Sequence, residues 1–126
     1  MKIENIKFKA KRLDGKGWAI GDLLHSYENG AIIVPIEGGG AFSVDPSTVC
    51  QFVGLKDCEN NEIWEGDILE HTQSYARFTV IFSDFGAFFI RRYGTGNSDI
   101  YLFELSEIDK CLTFFKVVGN KFDKEK

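Results

Sequence analysis

Residues 76–93 read Ala76-Arg77-Phe78-Thr79-Val80-Ile81-Phe82-Ser83-Asp84-Phe85-Gly86-Ala87-Phe88-Phe89-Ile90-Arg91-Arg92-Tyr93. Phe78, Val80 and Phe82 recur at every second position, the period of a strand with one buried face. Asp84-Phe85-Gly86 carries turn-forming residue types, and Ala87 to Tyr93 is rich enough in aromatic residues to return as a second strand. The stretch predicts a β-hairpin. Downstream, Gly94 to Asp99 is a polar loop and Tyr101 to Leu105 a short strand. Ser106-Glu107-Ile108-Asp109 is a single helical turn with Ser106 as N-cap. Leu112 to Val118 is a last strand, and Asn120 to Lys126 a polar, frayed tail.

The same period runs upstream. Ile6, Phe8 and Ala10 alternate with Lys7, Lys9 and Lys11, which predicts a half-buried strand with a lysine face outward. Asp14-Gly15-Lys16-Gly17 turns the chain, and Trp18 to Leu24 returns, so residues 3–24 form a hairpin. Further strands fall at Ala31 to Ile36, Ala41 to Val44, Cys50 to Leu55 and Ile68 to Thr72. Glu62-Ile63-Trp64 is a short extended segment, and Glu65-Gly66-Asp67 a tight turn. No segment calls for a helix longer than two turns. Short strands at this spacing indicate an all-β barrel or sandwich. The expected fold is mainly β. An N-terminal sheet over 1–55 is fused to a small SH3-like or partly open β-barrel over 62–120, with residues 121–126 as the tail and the whole forming one compact unit.

Composition agrees. The chain has 126 residues, 44% apolar and 27% charged, enough to build a core without staples. Aromatic residues make up 14%, including twelve Phe, and thirteen Gly stand against two Pro. Disorder, a collagen-like chain and a coiled coil are excluded. The excess Gly falls at strand reversals and the Phe at alternating strand positions. The net charge is −4, which disfavours a dedicated nucleic-acid binder, whose affinity rests on neutralised phosphates. Cys50, Cys58 and Cys111 are an odd number without CxxC spacing, so they read as reduced thiols in a cytosol. His25 and His71 lie at no ligand-pair spacing to them, and no metal or cofactor is expected. Residues 1–10 lack the apolar core of a signal peptide, and no 18-residue apolar run would span a membrane.

Catalytic patterns are sparse. No nucleophile-elbow spacing is present. Gly38-Gly39-Gly40 and Gly94-Thr95-Gly96-Asn97 lack the residues and the following helix of a phosphate loop. The segment from 45 to 70 is acidic, and Asp57, Glu62, Trp64 and Asp67 are its candidate ligand-binding group. Its Asp and Asn residues equally suit solvated turns. Lys7, Lys9, Lys11, Arg91 and Arg92 are the candidate contacts for a nucleic acid, although a solvated lysine face and a core strand ending in arginines explain them as well.

The run Val44-Asp45-Pro46-Ser47-Thr48-Val49-Cys50-Gln51-Phe52-Val53-Gly54-Leu55-Lys56-Asp57-Cys58-Glu59-Asn60-Asn61-Glu62-Ile63-Trp64-Glu65-Gly66-Asp67-Ile68-Leu69 resembles the central string of the YopX family of phages and prophages. Residues 6–23 are similar to that family's N-terminal strand pair, and Val117-Val118-Gly119-Asn120 to its ending. Two departures stand out. Cys50 replaces a glycine, so that position has no need of positive φ. Cys58-Glu59-Asn60-Asn61 replaces a glycine-containing turn, where Asn60 or Asn61 can take the left-handed conformation. The resemblance implies a mostly β protein of phage or prophage origin, and it brings no activity with it; the host cytoplasm is the expected location. In the motif, Asp45 and Pro46 shape a turn, Gly54, Asp57, Gly66 and Asp67 punctuate strand reversals, and Trp64 anchors beside Gly66. The chain therefore reads as a noncatalytic interaction or assembly protein. A homo-oligomer is the expected partnership, beside an unidentified host or phage protein. A nucleic-acid module, or a ligand-binding protein or enzyme centred on the acidic segment, is the alternative.

Overall fold

The structure, a computed structural model, describes residues 2–84, 86–92, 99–101 and 111–123. The mainly β expectation holds: among these residues the only helical elements are three 3₁₀ turns. No helix among them is long and apolar enough to cross a membrane. The chain divides into two compact units, Met1–Phe52 and Val53–Lys126.

The first unit contains β1 (Phe8–Lys11), β2 (Trp18–His25), β3 (Ala31–Val34), β4 (Phe42–Val44) and the start of β5 (Cys50–Asp57). Strands β1 to β4 form an antiparallel meander, and β5 returns to the free edge of β1, with Cys50 opposite Lys9 and Gln51 opposite Phe8. The end of β1 also reaches β4: Arg12 bridges Val44, and the Asp45 amide donates to the Lys11 carbonyl at 2.8 Å. The sheet thus bends back on itself through single bonds rather than a full ladder, and stays partly open. Ala10, Ala19, Ala31, Ile33 and Val44 make its core, with Phe8, Leu23, Phe42 and Val49 packed around them. Burial of Ile33 or Val44 contributes about 1.5–3 kcal/mol each.

The second unit holds the rest of β5, β6 (Glu62–Trp64), β7 (Asp67–His71), β8 (Arg77–Phe82), β9 (Phe88–Arg92), β10 (Asp99–Tyr101), β11 (Cys111–Leu112) and β12 (Phe115–Asn120). One antiparallel sheet runs in the order β10-β9-β8-β7-β12, while the end of β5 pairs with β6 and, in parallel, with β11. The 76–93 hairpin forms as its alternation predicts, with Phe78 opposite Arg92, Val80 opposite Ile90 and Phe82 opposite Phe88. Val80 and Ile90 are buried with Leu55, Ile63, Leu69, Leu112 and Phe115.

Four local expectations are corrected. Ile3–Asn5 is a 3₁₀ turn rather than strand, because the Ile6 amide donates to the Ile3 carbonyl and leaves Ile6 exposed. Gly54 sits inside β5 with φ 93° and reverses nothing; its positive φ re-aims the strand, a use of glycine seen at bulges. The final strand is two strands, β11 and β12, separated by a turn over 113–114. Asn120 is no tail residue but a buried end of β12. The helical turn expected at Ser106, most of the strand expected over 101–105, and the loop 94–98 lie outside the described residues.

Candidate functional site

The acidic motif is built from turns, and its two key carboxylates are inside the protein. Asp57 and Asp67 are each 2% exposed. Asp57 ends β5, where the chain must reverse into β6. Its Oδ1 accepts from the Asn61 amide at 2.7 Å and the Glu59 amide at 2.9 Å, and its Oδ2 from the Asn61 side chain at 3.3 Å and the Val117 amide at 2.9 Å. Asn60 supplies the left-handed residue of the turn, φ 69°. Burial alone raises the Asp57 pKa, but the amides of Val117, Asn61 and Glu59 outweigh it and hold the carboxyl below the ordinary value of 3.8. The ionised form is therefore the one the fold selects. The neighbouring Cys58 amide donates to the Phe115 carbonyl at 3.0 Å. Together Asp57 and Cys58 occupy hydrogen-bonding groups of β12 that its pairing with β7 does not use.

Asp67 serves the next reversal. Its Oδ2 accepts from the Trp64 amide at 2.8 Å and its Oδ1 from the Asn120 side chain at 2.9 Å. Asn120 also donates to the Glu65 carbonyl at 3.3 Å and accepts from the Phe122 amide at 2.9 Å. Gly66 turns with φ 85°, and a Cβ there would press on the Asn120 amide nitrogen at 3.3 Å. Trp64 is buried, and Glu62 is half-buried at the start of β6. The four candidates are thus neighbours in chain and hairpin. Asp57 and Asp67 hold different points of β12, Val117 and Asn120, and each spends its oxygens on backbone or amide donors. Among the described residues no group of three or more His, Cys, Asp and Glu is placed to hold a metal ion. Partial desolvation by neighbouring atoms first, then the Asp57 and Glu59 carboxylates, push the pKa of the exposed Cys58 thiol up, which leaves it a poor nucleophile.

The upstream part of the motif works alike. Asp45 accepts from the Ser47 amide at 3.0 Å, and Pro46 opens the 3₁₀ turn Pro46–Thr48. Thr48 Oγ1 donates to the Asp45 carbonyl at 2.8 Å and accepts from the Lys11 amide at 2.8 Å, fastening β1.

The lysine candidates fall on the face opposite that core. Lys9 and Lys11 place their ammoniums over the Trp18 ring at 4.5 and 4.7 Å, and Lys7 lies over Phe52 at 4.7 Å. Such cation–π contacts hold each charge on the surface at about 0.5–1 kcal/mol. Arg91 and Arg92 are exposed at the end of β9 in the other unit, Arg91 over Phe89 at 5.5 Å. Sequence reasoning missed the apolar residues that share the lysine face. Ala19 and Gly21 point to the core, so Trp18, Ile20, Asp22 and Leu24 point out. Ile20 is 48% and Leu24 52% exposed. Val34 and Ile32 lie opposite Asp22 and Leu24 on β3, half-buried. The signal was in Trp18 to Leu24 itself, which is apolar at both parities.

A family model described as YopX protein matches residues 7–125 of the chain. No curated protein matches it.

Proposed function

The chain belongs to the YopX protein family, and from that premise we propose that it is a noncatalytic interaction or assembly protein. It acts in the cytoplasm of a host cell, during phage growth or from a prophage. The observation that carries the reading is the outward face of β1–β3, where Ile20 and Leu24 stand in solvent beside Trp18 and a row of lysines. Exposed apolar side chains set among charged ones, here with Asp22 between Ile20 and Leu24, suit the surface of a binding protein. The commitment of Asp57 and Asp67 to backbone amides and to the Asn120 side-chain amide supports it from the other side, because carboxylates so engaged are held away from acid–base or metal chemistry.

Photo-crosslinking in the producing cell tests this. A photoreactive residue in place of Ile20 or Leu24 is expected to form protein adducts. One in place of exposed Lys16, in the β1–β2 turn, is expected to form none. No adduct from either β2 position overturns the proposal.

A second reading, a nucleic-acid module, is favoured by one observation, the convergence of Lys9 and Lys11 on Trp18. It expects retention of single-stranded oligonucleotides that falls steeply with salt. Absence of binding at low salt removes it.

A further inference from the structure

We infer that the Lys9–Lys11 half of β1 is a track for single-stranded nucleic acid, with one base stacked on Trp18 and the adjacent phosphates held by the two lysines. This rests on the nucleic-acid reading above, and gives it a place and a strandedness. Two ammoniums and one ring carry it. The register sets Lys11 opposite Trp18 and Lys9 opposite Ile20. Both ammoniums nevertheless turn to the one indole, at 4.5 and 4.7 Å from its centroid. They stand no farther apart than those two distances together, which is within a Debye length of about 10 Å at 0.1 M salt. Like charges gathered so closely repel each other, and a phosphate is drawn to both at once. The ring sets this site apart from a plain lysine cluster. Trp18 is half-buried at the start of β2, so part of its surface is open. Every base has a flat π face to lay on such a ring.

The surrounding charges set the bounds of the track. Residues 1–52 carry six lysines and arginines against six aspartates and glutamates, so the unit is neutral and the chain's −4 lies entirely beyond it. Asp14, in the turn after β1, is engaged by the Arg12 guanidinium and the Lys16 amide. Asp22 stands at the other end. Phe8 is opposite Gly21, so Asp22 follows at the level of Lys7 and turns phosphate away from that end. What remains is Lys9 and Lys11 with Trp18 beside them. The two lysines are about 7 Å apart along the strand backbone, on the order of one nucleotide step of an extended single strand. A duplex offers the same phosphates but hides its base faces in the stack, so the indole selects the single strand. Arg91 and Arg92 lie in the other unit and are no part of the track. Leu24, at the far end of β2, stays open to a protein partner.

Fluorescence titration of the Trp64→Phe chain, whose one remaining indole is Trp18, tests this. The probe is a single strand of thymidylate about twelve nucleotides long. Stacking is expected to quench Trp18, with a dissociation constant in the range of about 1–100 μM. The unsubstituted chain should show the same quenching over the constant emission of buried Trp64, so the test survives if Trp64→Phe unfolds. Two phosphates held on a single strand predict a slope of about −1.4 in log affinity against log salt. Lys9→Gln/Lys11→Gln should abolish that slope. Trp18→Leu should weaken binding by about tenfold, measured by anisotropy of a labelled strand, while Trp18→Phe keeps a ring and most of the affinity. Thermal unfolding of each variant checks that the fold is kept. A duplex of the same length, or polyglutamate at matched charge, should leave Trp18 unquenched. Quenching by either as strong as by the single strand overturns the inference. Binding without quenching, or binding that survives Lys9→Gln/Lys11→Gln and is lost in Arg91→Gln/Arg92→Gln, also overturns it and leaves the nucleic-acid reading standing. Absence of binding at low salt removes both.

Discussion

At the scale of single residues, the motif that most resembles an active site is a set of caps. Asp57 accepts four hydrogen bonds while 2% exposed. Asp57→Ala strands those donors and is expected to cost about 2–4 kcal/mol in urea unfolding. The pH dependence follows from the sign of its shift. The folded pKa lies below the ordinary 3.8, so the unfolded chain takes up the proton first. The carboxylate's contribution is complete well above pH 3.8 and is lost as pH falls through the folded value. Asp57→Asn should lower stability at neutral pH and flatten the acid limb, and an unchanged limb would mean another carboxyl controls it. Asp67 and Asn120 form a second pair. A double-mutant cycle with Asp67→Ala and Asn120→Ala is expected to give a coupling of about 0.5–3 kcal/mol, and additive effects would deny the contact its role. Residue types foretold part of this. Asp45 as a cap, Asn60 as the left-handed residue and Gly66 as a turn are all local requirements, and local requirements are written in adjacent residues. Asn120 was misplaced in a frayed tail because its partners, Glu65 and Asp67, lie more than fifty residues away in sequence.

At the scale of elements, period-two patterning located β8 and β9, whose partners are next along the chain and joined by a short turn. It failed where pairing is distant. The parallel contact of β11 with the end of β5 sets Leu112 opposite Asp57, and two residues are too few to show a period. It also left the outer face of β2 unread, since alternation assigns polar residues outward and here Ile20 and Leu24 are outward. Gly21 is the residue that makes β2 and β3 compatible. It is buried, and a Cβ there would overlap the Val34 carbonyl oxygen, a backbone atom with no side-chain freedom to yield. Gly21→Ala is therefore expected to break the β2–β3 ladder, read as loss of amide protection along Ala31–Val34. Gly54→Ala is the contrasting case. Nothing lies within 4 Å of its added Cβ, and only its φ of 93° is unfavourable, so the cost should be about 1–2 kcal/mol with all ladders kept. Equal damage from the two substitutions would mean crowding at Gly21 is relieved by a shift of β3.

At the scale of the whole molecule, the question is whether two compact units unfold as one. Strand β5 bears on it, since Cys50 and Gln51 are laddered to β1 in the first unit while Lys56 and Asp57 are laddered to β11 in the second. Melting either unit therefore removes one half of a continuous strand's hydrogen bonds and frees the other half to fray. The outer half of the motif ties β1 through Thr48 to Lys11, and the inner half ties β12 through Asp57 to Val117. One stretch of about twenty-five residues thus fastens an early strand of one unit and the last strand of the other. That placement predicts a single cooperative transition. The sequence holds two tryptophans, and they fall one to each unit, Trp18 on β2 and Trp64 on β6. Each can thus report its own unit when the other is replaced by Phe. In urea, the Trp64→Phe and Trp18→Phe proteins are each compared with a common probe, far-ultraviolet circular dichroism. Coincidence of fluorescence and circular dichroism in both is the expected result, the mark of two-state unfolding. Separate midpoints for Trp18 and Trp64, persisting after correction for each variant's own stability, would show that β5 does not transmit the loss of one unit to the other.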